Sequence, residues 1–296
     1  MQESSAYRPR ADAGSNRTDG SDGILLRPLA SIADYDEAVA LQDEIWGAGF
    51  SDRVPASILR VGQKVGGVSA GAFDAQGRML GFVFGLTGIR DGRLVHWSDM
   101  LAVREHARGM RLGERLKYYQ RDIVRAMGVE TMFWTFDPLV ARNAHFNLNR
   151  LGAGIADYAP NFYGANTGSI LHGALPTDRF VAEWSIREDA PARTRSDTSA
   201  STSAPNAAPV ATVATGSDVR NVTPFPDAPR VLVPIPPDIE PVLGLNPDAA
   251  LAWRLATRAA MTHYLARGYK VTGFHRDRGG RDLPAYELSS SSSTHA

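Results

Sequence analysis

A strand pattern, a short turn and an amphipathic helix follow one another between residues 94 and 128. The strand pattern is LVHWSDMLAV, and the helix pattern GERLKYYQRDIVRAM carries apolar side chains along one face before Gly128. The turn between them, 108–113, has the sequence RGMRLG. The alternation of strand and helix patterns predicts an α/β fold. Because the first amides of a helix have no partner within the helix, this order also predicts an anion site at the turn.

The turn has the residue types that a phosphate or pyrophosphate site needs. Arg108 and Arg111 supply positive charge, while Gly109 and Gly113 let the backbone approach a ligand closely. The six expected binding residues are Arg108, Gly109, Met110, Arg111, Leu112 and Gly113. The turn lacks the Gly-Lys-Ser/Thr ending of a nucleotide P-loop, and the chain lacks the Gly-x-Gly-x-x-Gly of a dinucleotide fold.

The same stretch resembles motif A of the GNAT acetyltransferase superfamily. In that motif an Arg/Gln-x-x-Gly-x-Gly/Ala loop follows a Leu-x-Val strand end, which Leu101, Val103, Arg108 and Gly113 match. The segments WTFDPLVARNAHFNLNRLGA, YAPNFYG, LPTDRFVAEWSI and VLVPIP are also similar to a predicted-acetyltransferase subgroup of GNAT. The resemblance implies a mixed, mostly antiparallel central sheet flanked by helices, and acetyl-CoA or another acyl-CoA as co-substrate.

Two positions depart from the family pattern. Position 111 is Arg where the pattern has Gly, so a left-handed backbone there would cost on the order of 1–2 kcal/mol. If the backbone is not left-handed, Arg111 is instead available for a phosphate contact. Many GNAT enzymes also have a tyrosine acid where this chain has Leu148. Either another group, with Tyr163 and Tyr158 as the candidates, protonates the departing thiolate, or the thiolate leaves unassisted.

The resemblance implies direct transfer of the acyl group to an amine, and we expect a small-molecule acceptor. The amine must lose a proton before it attacks, so a base is needed near the end of the strand. Asp99 is the preferred base, with His96 and Glu105 as alternatives. Each also has a simpler interpretation: a cap or arginine partner for Asp99, a core or surface histidine for His96, and a solvated loop charge for Glu105.

Further contacts follow from the family. A backbone N–H at a bulge near 100–101 is expected to stabilise the developing oxyanion. Asn143 and Asn147 are expected to bind the pantetheine arm, and their alternative roles are helix caps or exposed amides.

The chain divides into five predicted segments. Residues 1–23 and 289–296 are predicted to be disordered tails, and 187–229, rich in Ala, Ser, Thr and Pro, a disordered linker. Residues 24–186 form the predicted catalytic domain, in which Ser31 and Asp34 have the spacing of a capping box.

The last structured segment, 230–288, is predicted to be a β-α-β-β block. Its helix is expected from Pro247, with Asn246 as N-cap and Gly268 after its end. The block is too small for a stable core of its own, so we expect it to dock on the catalytic domain. It either closes the acceptor side or forms a homodimer interface.

Composition excludes several classes of function. The chain of 296 residues has 32 basic and 32 acidic side chains, which gives no hint of nucleic-acid binding. It has no cysteine, so thiolate nucleophiles and cysteine-based zinc sites are excluded, and no metal is expected. Without a membrane-spanning apolar run or a signal peptide, the expected location is the cytoplasm.

Two sequence features point to alternative functions. The Gly-x-Ser-x-Gly pattern at 67–71 resembles a hydrolase elbow, but a strand follows it here instead of the required helix. The second alternative is a catalytically degenerate domain that binds acyl-CoA as a sensor or scaffold. The absent tyrosine and Arg111 both favour that alternative.

Overall fold

The computed structural model divides into two compact units. It describes residues 17–18, 22–164, 167–169, 173, 175–187, 208–215, 218–276 and 283–290. The described residues up to 132, apart from 49–51, form the first unit together with 186 and 187. Residues 49–51, 133–185 and the described residues after 207 form the second unit.

The first unit is built on an antiparallel sheet. Its strands are β1 (Arg17–Thr18), β2 (Leu25–Pro28), β3 (Val68–Phe73), β4 (Met79–Arg90) and β5 (Arg93–Val103). They lie in chain order, and each is antiparallel to its neighbours. β3 and the first half of β4 are buried along their whole length, as the apolar pattern of β4 predicts for a central strand.

Three helices pack on this sheet: α1 (Ile32–Trp46), α2 (Ala56–Lys64) and α3 (Leu112–Ala126). The predicted capping box at the start of α1 is present, because Ser31 Oγ accepts from the Asp34 amide at 3.1 Å. In return, Asp34 accepts from the Ser31 amide at 3.1 Å. The boundaries of all three helices lie within a few residues of those that capping and glycine signals indicate.

The second unit begins with the later part of the predicted catalytic domain. Strand β6 (Thr131–Phe136) has its first two residues in the first unit and the rest in the second. The elements that follow are α4 (Ala141–Ala144), a π-helical turn (His145–Arg150), β7 (Gly154–Ala159) and β8 (Arg179–Ser185). Among these strands, β8 lies between β6 and β7, and it is antiparallel to β7. The sequence predicts one ordinary short helix before Gly152, so the π-helical turn is a departure from that expectation.

The rest of the second unit contains a hairpin, two helices and a second sheet. The elements are β9 (Thr212–Thr215), β10 (Asp218–Asn221), β11 (Arg230–Pro234), α5 (Ile239–Leu245), α6 (Pro247–Leu265), β12 (Lys270–His275) and β13 (Ala285–Ser289). The sheet order is β11-β13-β12, with β13 antiparallel to both neighbours. Asn246 caps α6 as predicted, because its side chain accepts from the Ala249 amide at 3.0 Å.

Side chains of the C-terminal block contact the earlier part of the second unit at several points. Arg254 Nη2 lies 2.6 Å from Asp137 Oδ2, and the Tyr286 hydroxyl donates to the Pro138 carbonyl oxygen at 2.8 Å. The rings of Phe180 and Tyr286 pack edge to face with centroids 5.1 Å apart. The core of the second unit therefore contains residues from both parts of the chain.

The predicted fold class is confirmed: the structure is α/β with mostly antiparallel sheet and flanking helices. Within the predicted disordered linker 187–229, β9 (Thr212–Thr215) and β10 (Asp218–Asn221) pair as antiparallel strands, so the prediction of disorder is wrong for those residues. Residues 188–207 of that linker lie outside the described residues. The predicted tail 1–23 also differs, because Arg17–Thr18 pairs with β2.

Candidate functional site

The turn before α3 has a strained and open geometry. Arg108 has extended backbone with φ −63°, Gly109 has φ 91°, and Arg111, at the N-cap of α3, has φ 58° and ψ 22°. The left-handed backbone that the GNAT pattern meets with glycine is therefore present at position 111, where this chain has arginine. Such a backbone is unfavourable for a residue with a Cβ, so the sequence tolerates strain at this turn.

The amides of this turn are available to a ligand. The Arg108 amide bonds to the Glu105 carbonyl at 3.0 Å, and no side chain caps α3. Within the described part of the chain, no acceptor bonds to the amides of 109–113. Because the helix dipole makes this end positive, five free donors and the dipole together suit a diphosphate.

The two arginines of the turn are mostly exposed. Arg108 Nη1 lies 3.8 Å from Glu105 and Arg111 Nε lies 3.3 Å from Glu114. The end of β5 lies beside the helix start, because a Cβ added at Gly113 would be 3.8 Å from Leu101 Cδ2. Leu101 and Val103 are half-buried in β5 and pair with Val83 and Gly81, while Met110 is exposed and Leu112 is buried.

β5 carries a β-bulge at Asp99. Met100 pairs with Phe84 and Ser98 pairs with Gly85, so Asp99 is the extra residue between them. A bulge redirects backbone and side-chain groups and frees an N–H from the ladder. The resemblance implied a bulge near 100–101, and the structure has it one residue earlier.

The Asp99 carboxyl is on the exposed side of β5. Partial burial by surrounding protein raises its pKa, a hydrogen bond from Trp97 lowers it, and the negative charge of Asp52 raises it; the net shift is upward. A carboxylate with a raised pKa is a better proton acceptor than a fully solvated one. The sequence does not indicate Asp52, because it lies 47 positions before Asp99, in the segment between α1 and α2.

His96 is not a free base. It is fully buried, with Nδ1 2.9 Å from Thr87 Oγ1 and Nε2 3.0 Å from Gln120 Nε2. Burial, with a smaller effect from Lys117, lowers the pKa of His96 to about 3. The alternative interpretation of His96 as a satisfied core histidine is therefore favoured. Glu105 begins a short 3₁₀ turn and pairs with Arg108 on the surface.

The predicted residues of the second unit have different surroundings. Asn147 is buried and its Oδ1 accepts from Trp134 Nε1 at 3.0 Å, so the structure favours a core role over binding of a pantetheine arm. Asn143 is half-buried at the start of the helical segment. The Tyr163 hydroxyl lies 2.8 Å from Thr135 Oγ1. The Tyr158 hydroxyl instead donates to Asp178 at 2.6 Å, and burial raises its pKa, so it is a poor proton donor.

The hydrolase alternative conflicts with the structure. Ser69 is buried in the middle of β3, and its hydroxyl donates to the Leu59 carbonyl at 2.7 Å. A nucleophile elbow needs an exposed serine on a turn between strand and helix. Ser69 has neither that exposure nor that placement.

No described helix is long and apolar enough to cross a bilayer. In the same part of the chain, His, Asp and Glu residues form no cluster of three or more that suits a metal ion.

Comparisons with known proteins give structural relatives only. No family model and no curated protein sequence matches the chain. A GNAT family protein from Desulfovibrio desulfuricans matches at 18% identity and TM-score 0.43, over 55% of this chain and 99% of that chain. The NatC complex bound to Gag peptide and CoA matches at 16% identity and TM-score 0.43, over 55% and 99%. Aminoglycoside 6'-acetyltransferase type Ii matches at 18% and 0.43, over 55% and 97%. At these identities and TM-scores the likenesses do not decide what the chain acts on.

Proposed function

We propose that this chain is a GNAT-superfamily N-acyltransferase that moves an acetyl group from acetyl-CoA to the amine of a small molecule. The observation that carries the proposal is the helix start at Arg111, where the amides of 109–113 have no acceptor within the described residues. Open helix starts of this kind bind phosphate groups. The bulged strand beside it supports the proposal, because it supplies a carboxylate with a raised pKa.

In the proposed reaction, the turn holds the diphosphate of acetyl-CoA through its free amides and Arg108. An N–H freed at the bulge of β5 donates to the thioester carbonyl oxygen. Asp99 accepts the proton that the amine, which titrates near pH 10 when free, must lose. The sulfur departs as a thiolate, since the chain has Leu148 where many GNAT enzymes have a tyrosine acid.

Binding of coenzyme A is tested first, with a matched pair of arginine variants. The Arg108 side chain is 61% exposed, and its Nη1 lies 3.8 Å from the Glu105 carboxylate. The Arg90 side chain is 60% exposed, and its Nε lies 3.7 Å from the Asp91 carboxylate. Arg90 pairs with Arg93 at the far end of the hairpin from the turn. Arg108→Ala should weaken CoA binding in calorimetry by roughly tenfold or more, since a charge-assisted hydrogen bond contributes about 1.5–3 kcal/mol. Arg90→Ala should bind like the wild type, and equal affinities in both variants would contradict the proposed site.

Transfer is tested by release of free CoA thiol from acetyl-CoA in the presence of a panel of amines. Because the chain has no cysteine, a thiol reagent reports only the product. Asp99→Asn should lower kcat by about 10²–10⁴-fold, as expected for loss of a general base, with CoA affinity unchanged. CoA binding without turnover of any amine, peptide or protein acceptor would favour the alternative, a sensor or scaffold that binds acyl-CoA.

A further inference from the structure

A buried network of hydrogen bonds, formed by Thr87, His96 and Gln120, crosses the first unit. His96 Nδ1 lies 2.9 Å from Thr87 Oγ1 in the facing strand β4, and His96 Nε2 lies 3.0 Å from Gln120 Nε2 in α3. The Thr87 hydroxyl donates to the Gly66 carbonyl oxygen, just after α2, at 2.7 Å. The imidazole of His96 and the amide of Gln120 are completely buried. The network therefore joins β4, β5 and α3 in the interior.

The directions of these bonds fix the proton of the imidazole. A hydroxyl carries one hydrogen, and Thr87 donates it to Gly66, so Thr87 Oγ1 can only accept from His96. The ring proton is therefore on Nδ1. Burial, with a smaller effect from Lys117, lowers the pKa of His96 to about 3, so the ring is neutral and its Nε2 accepts from the Gln120 amide. Both ring nitrogens are thus held by neighbours.

The imidazole lies against the backbone opposite the start of the bulge in β5. The bulged residue Asp99 directly follows Ser98, and Ser98 pairs with Gly85 of β4. A Cβ added at Gly85 would overlap His96 Nε2 and would lie 2.8 Å from Gln120 Nε2. Glycine is therefore needed at this position to leave room for the ring and its amide partner. The network and the bulge share one place in the sheet.

Gln120 makes this arrangement at a cost to the fold. Within the described residues, its Oε1 is buried and has no hydrogen-bond partner. A buried acceptor without a partner is destabilising, and an apolar side chain of similar size would avoid that cost. Such a side chain would leave His96 Nε2 without its donor. Gln120 therefore serves to orient the imidazole more than to stabilise the helix.

We propose that His96 is a positioning residue that holds the bulge of β5 in place against β4, with its ring fixed by Thr87 and Gln120. This role rests on the proposed function, in which the bulge supplies an N–H for the thioester oxygen and Asp99 accepts the amine proton. His96 acts through the backbone of β5 and exchanges no proton with the substrate. All of these residues belong to the first unit.

The first test observes the imidazole and does not depend on activity. Histidine labelled with ¹⁵N reports the protonation of both ring nitrogens in each of the seven histidines, and His96→Asn identifies the signals of interest. We expect a proton on Nδ1 of His96 and none on Nε2, without change between about pH 8 and about pH 5. Free histidine side chains titrate near pH 6.5. A proton on Nε2, or titration of His96 near that value, would contradict the proposed network.

The second test follows the bulge through the backbone amide resonances of Asp99 and Met100. Gln120→Met keeps the size of the side chain but removes the donor to His96, so it should shift both resonances. Gln42→Met is the matched control, since Gln42 is equally buried in α1 and its amide makes two bonds to the Val54 backbone. The control should lower Tm and leave both resonances in place. Equal shifts in the two variants would indicate general destabilisation and overturn the role.

A second variant removes the other partner of the ring. Thr87→Val has a side chain of the same shape without the hydroxyl, and it should shift the Asp99 and Met100 resonances as Gln120→Met does. It also provides the test if Gln120→Met does not fold. Unchanged resonances in whichever of these variants fold would overturn the role of His96.

The third test measures kcat and KM. Gln120→Met should lower kcat by roughly tenfold to a hundredfold, as small misplacements of reacting groups do, with KM for acetyl-CoA unchanged. Gln42→Met should keep the kcat of the wild type. In the Asp99→Asn background, Gln120→Met should have a smaller effect, because the base that it would misplace is already absent. Fully additive losses in the double variant would contradict positioning of Asp99.

The outcomes separate the role of His96 from the proposed function. Loss of the expected resonance shifts would overturn the role of His96 while acyl transfer stands. A wild-type protein that releases no thiol with any amine would overturn the proposed function. The position of the imidazole proton and the shifts at the bulge would then still decide whether His96 holds the bulge.

Discussion

The helices α1 and α3 each contain 15 residues, but they begin in opposite ways. At the start of α1, Ser31 and Asp34 bond to each other's backbone amides, and Asp34 also accepts from the Ala30 amide at 2.8 Å. At the start of α3, Arg111 offers no side-chain cap and holds a left-handed backbone. The first helix start has side-chain acceptors for its donors, whereas the amides of 109–113 at the second have no acceptor within the described residues.

The difference shows that two helices packed on one sheet can begin in two ways, one with capped donors and one with open donors. A capped start stabilises the fold by itself, because its donors no longer need water. An uncapped start gives up that stabilisation and keeps its donors and the positive end of the dipole for an anion. The contrast can be tested at both helices, by removing the side-chain cap of α1 and by adding a ligand for the amides at the start of α3.

The largest effect is expected from Asp34→Ala. The carboxylate is buried, bonds to two amides and pairs with Arg27 at 2.7 Å, so its removal should cost about 3–5 kcal/mol in urea unfolding. Asp43→Ala is the control, since that carboxylate pairs with Arg53 at the surface and should cost about 0–1 kcal/mol. Equal losses would mean that the cap of α1 is not special.

The same carboxylate makes stability depend on pH. The hydrogen bond from Arg27, together with those from backbone amides, holds the pKa of Asp34 well below its usual range. A lowered pKa gives stability that is present at neutral pH and is lost as the pH falls below about 5 toward the folded-state value. The wild type should therefore lose more stability on acidification than Asp34→Ala does.

A second effect is expected when coenzyme A closes the start of α3. At about a hundred times its dissociation constant, bound ligand should slow hydrogen exchange of the amides 109–113 by roughly a hundredfold, about 2.7 kcal/mol. The amides of Ala30 and Ser31 already have Asp34 as acceptor and should change little. Exchange measured by mass spectrometry or NMR distinguishes the two helix starts, and equal protection at both would remove the contrast.

A third effect is expected from Arg111→Gly. Glycine adopts a left-handed backbone without strain, so this change should stabilise the protein by on the order of 1–2 kcal/mol in urea unfolding. Arg108→Gly is the matched control three residues earlier, where φ is −63° and glycine should give no gain. If Arg111→Gly instead destabilises the protein, the arginine side chain stabilises the turn by more than the strain of its left-handed backbone costs. Its ion pair with Glu114 would be one source of that stabilisation.

The smallest effect is expected from Ser31→Ala. Loss of a side-chain cap costs about 1 kcal/mol, and Asp34 would still accept from the backbone amides on its side of the box. Thermal unfolding should show a modest fall in Tm. A loss as large as that of Asp34→Ala would mean that both halves of the box act as one unit.

Local signals in the sequence predicted local structure well. Ser31 with Asp34, and Asn246 with Pro247, marked two helix starts, because caps act over three or four residues. The resemblance to GNAT led to a bulge in β5, but its position at Asp99 depends on the pairing of β5 with β4. The sequence does not decide whether the backbone at Arg111 is left-handed, since an arginine is compatible with either conformation.

Contacts between distant residues were not predictable in the same way. Asp137 and Arg254 are 117 positions apart, and no local pattern links them. The pairing of β9 with β10 is not predicted by the sequence, because their residues are mostly small and polar. The two strands contact α6 and do not form a core of their own. Asn147 was expected near a ligand because of its polarity, and its partner Trp134 becomes apparent only in the packed structure.

The order of the second sheet has a consequence for how the chain is made. β13 lies between β11 and β12, yet it is synthesised after both. During translation, β11 and β12 therefore have no shared neighbour until β13 leaves the ribosome, and their pairing edges are open to other chains. Open strand edges favour pairing with other chains, so we expect the second unit to be most prone to aggregation before β13 is made.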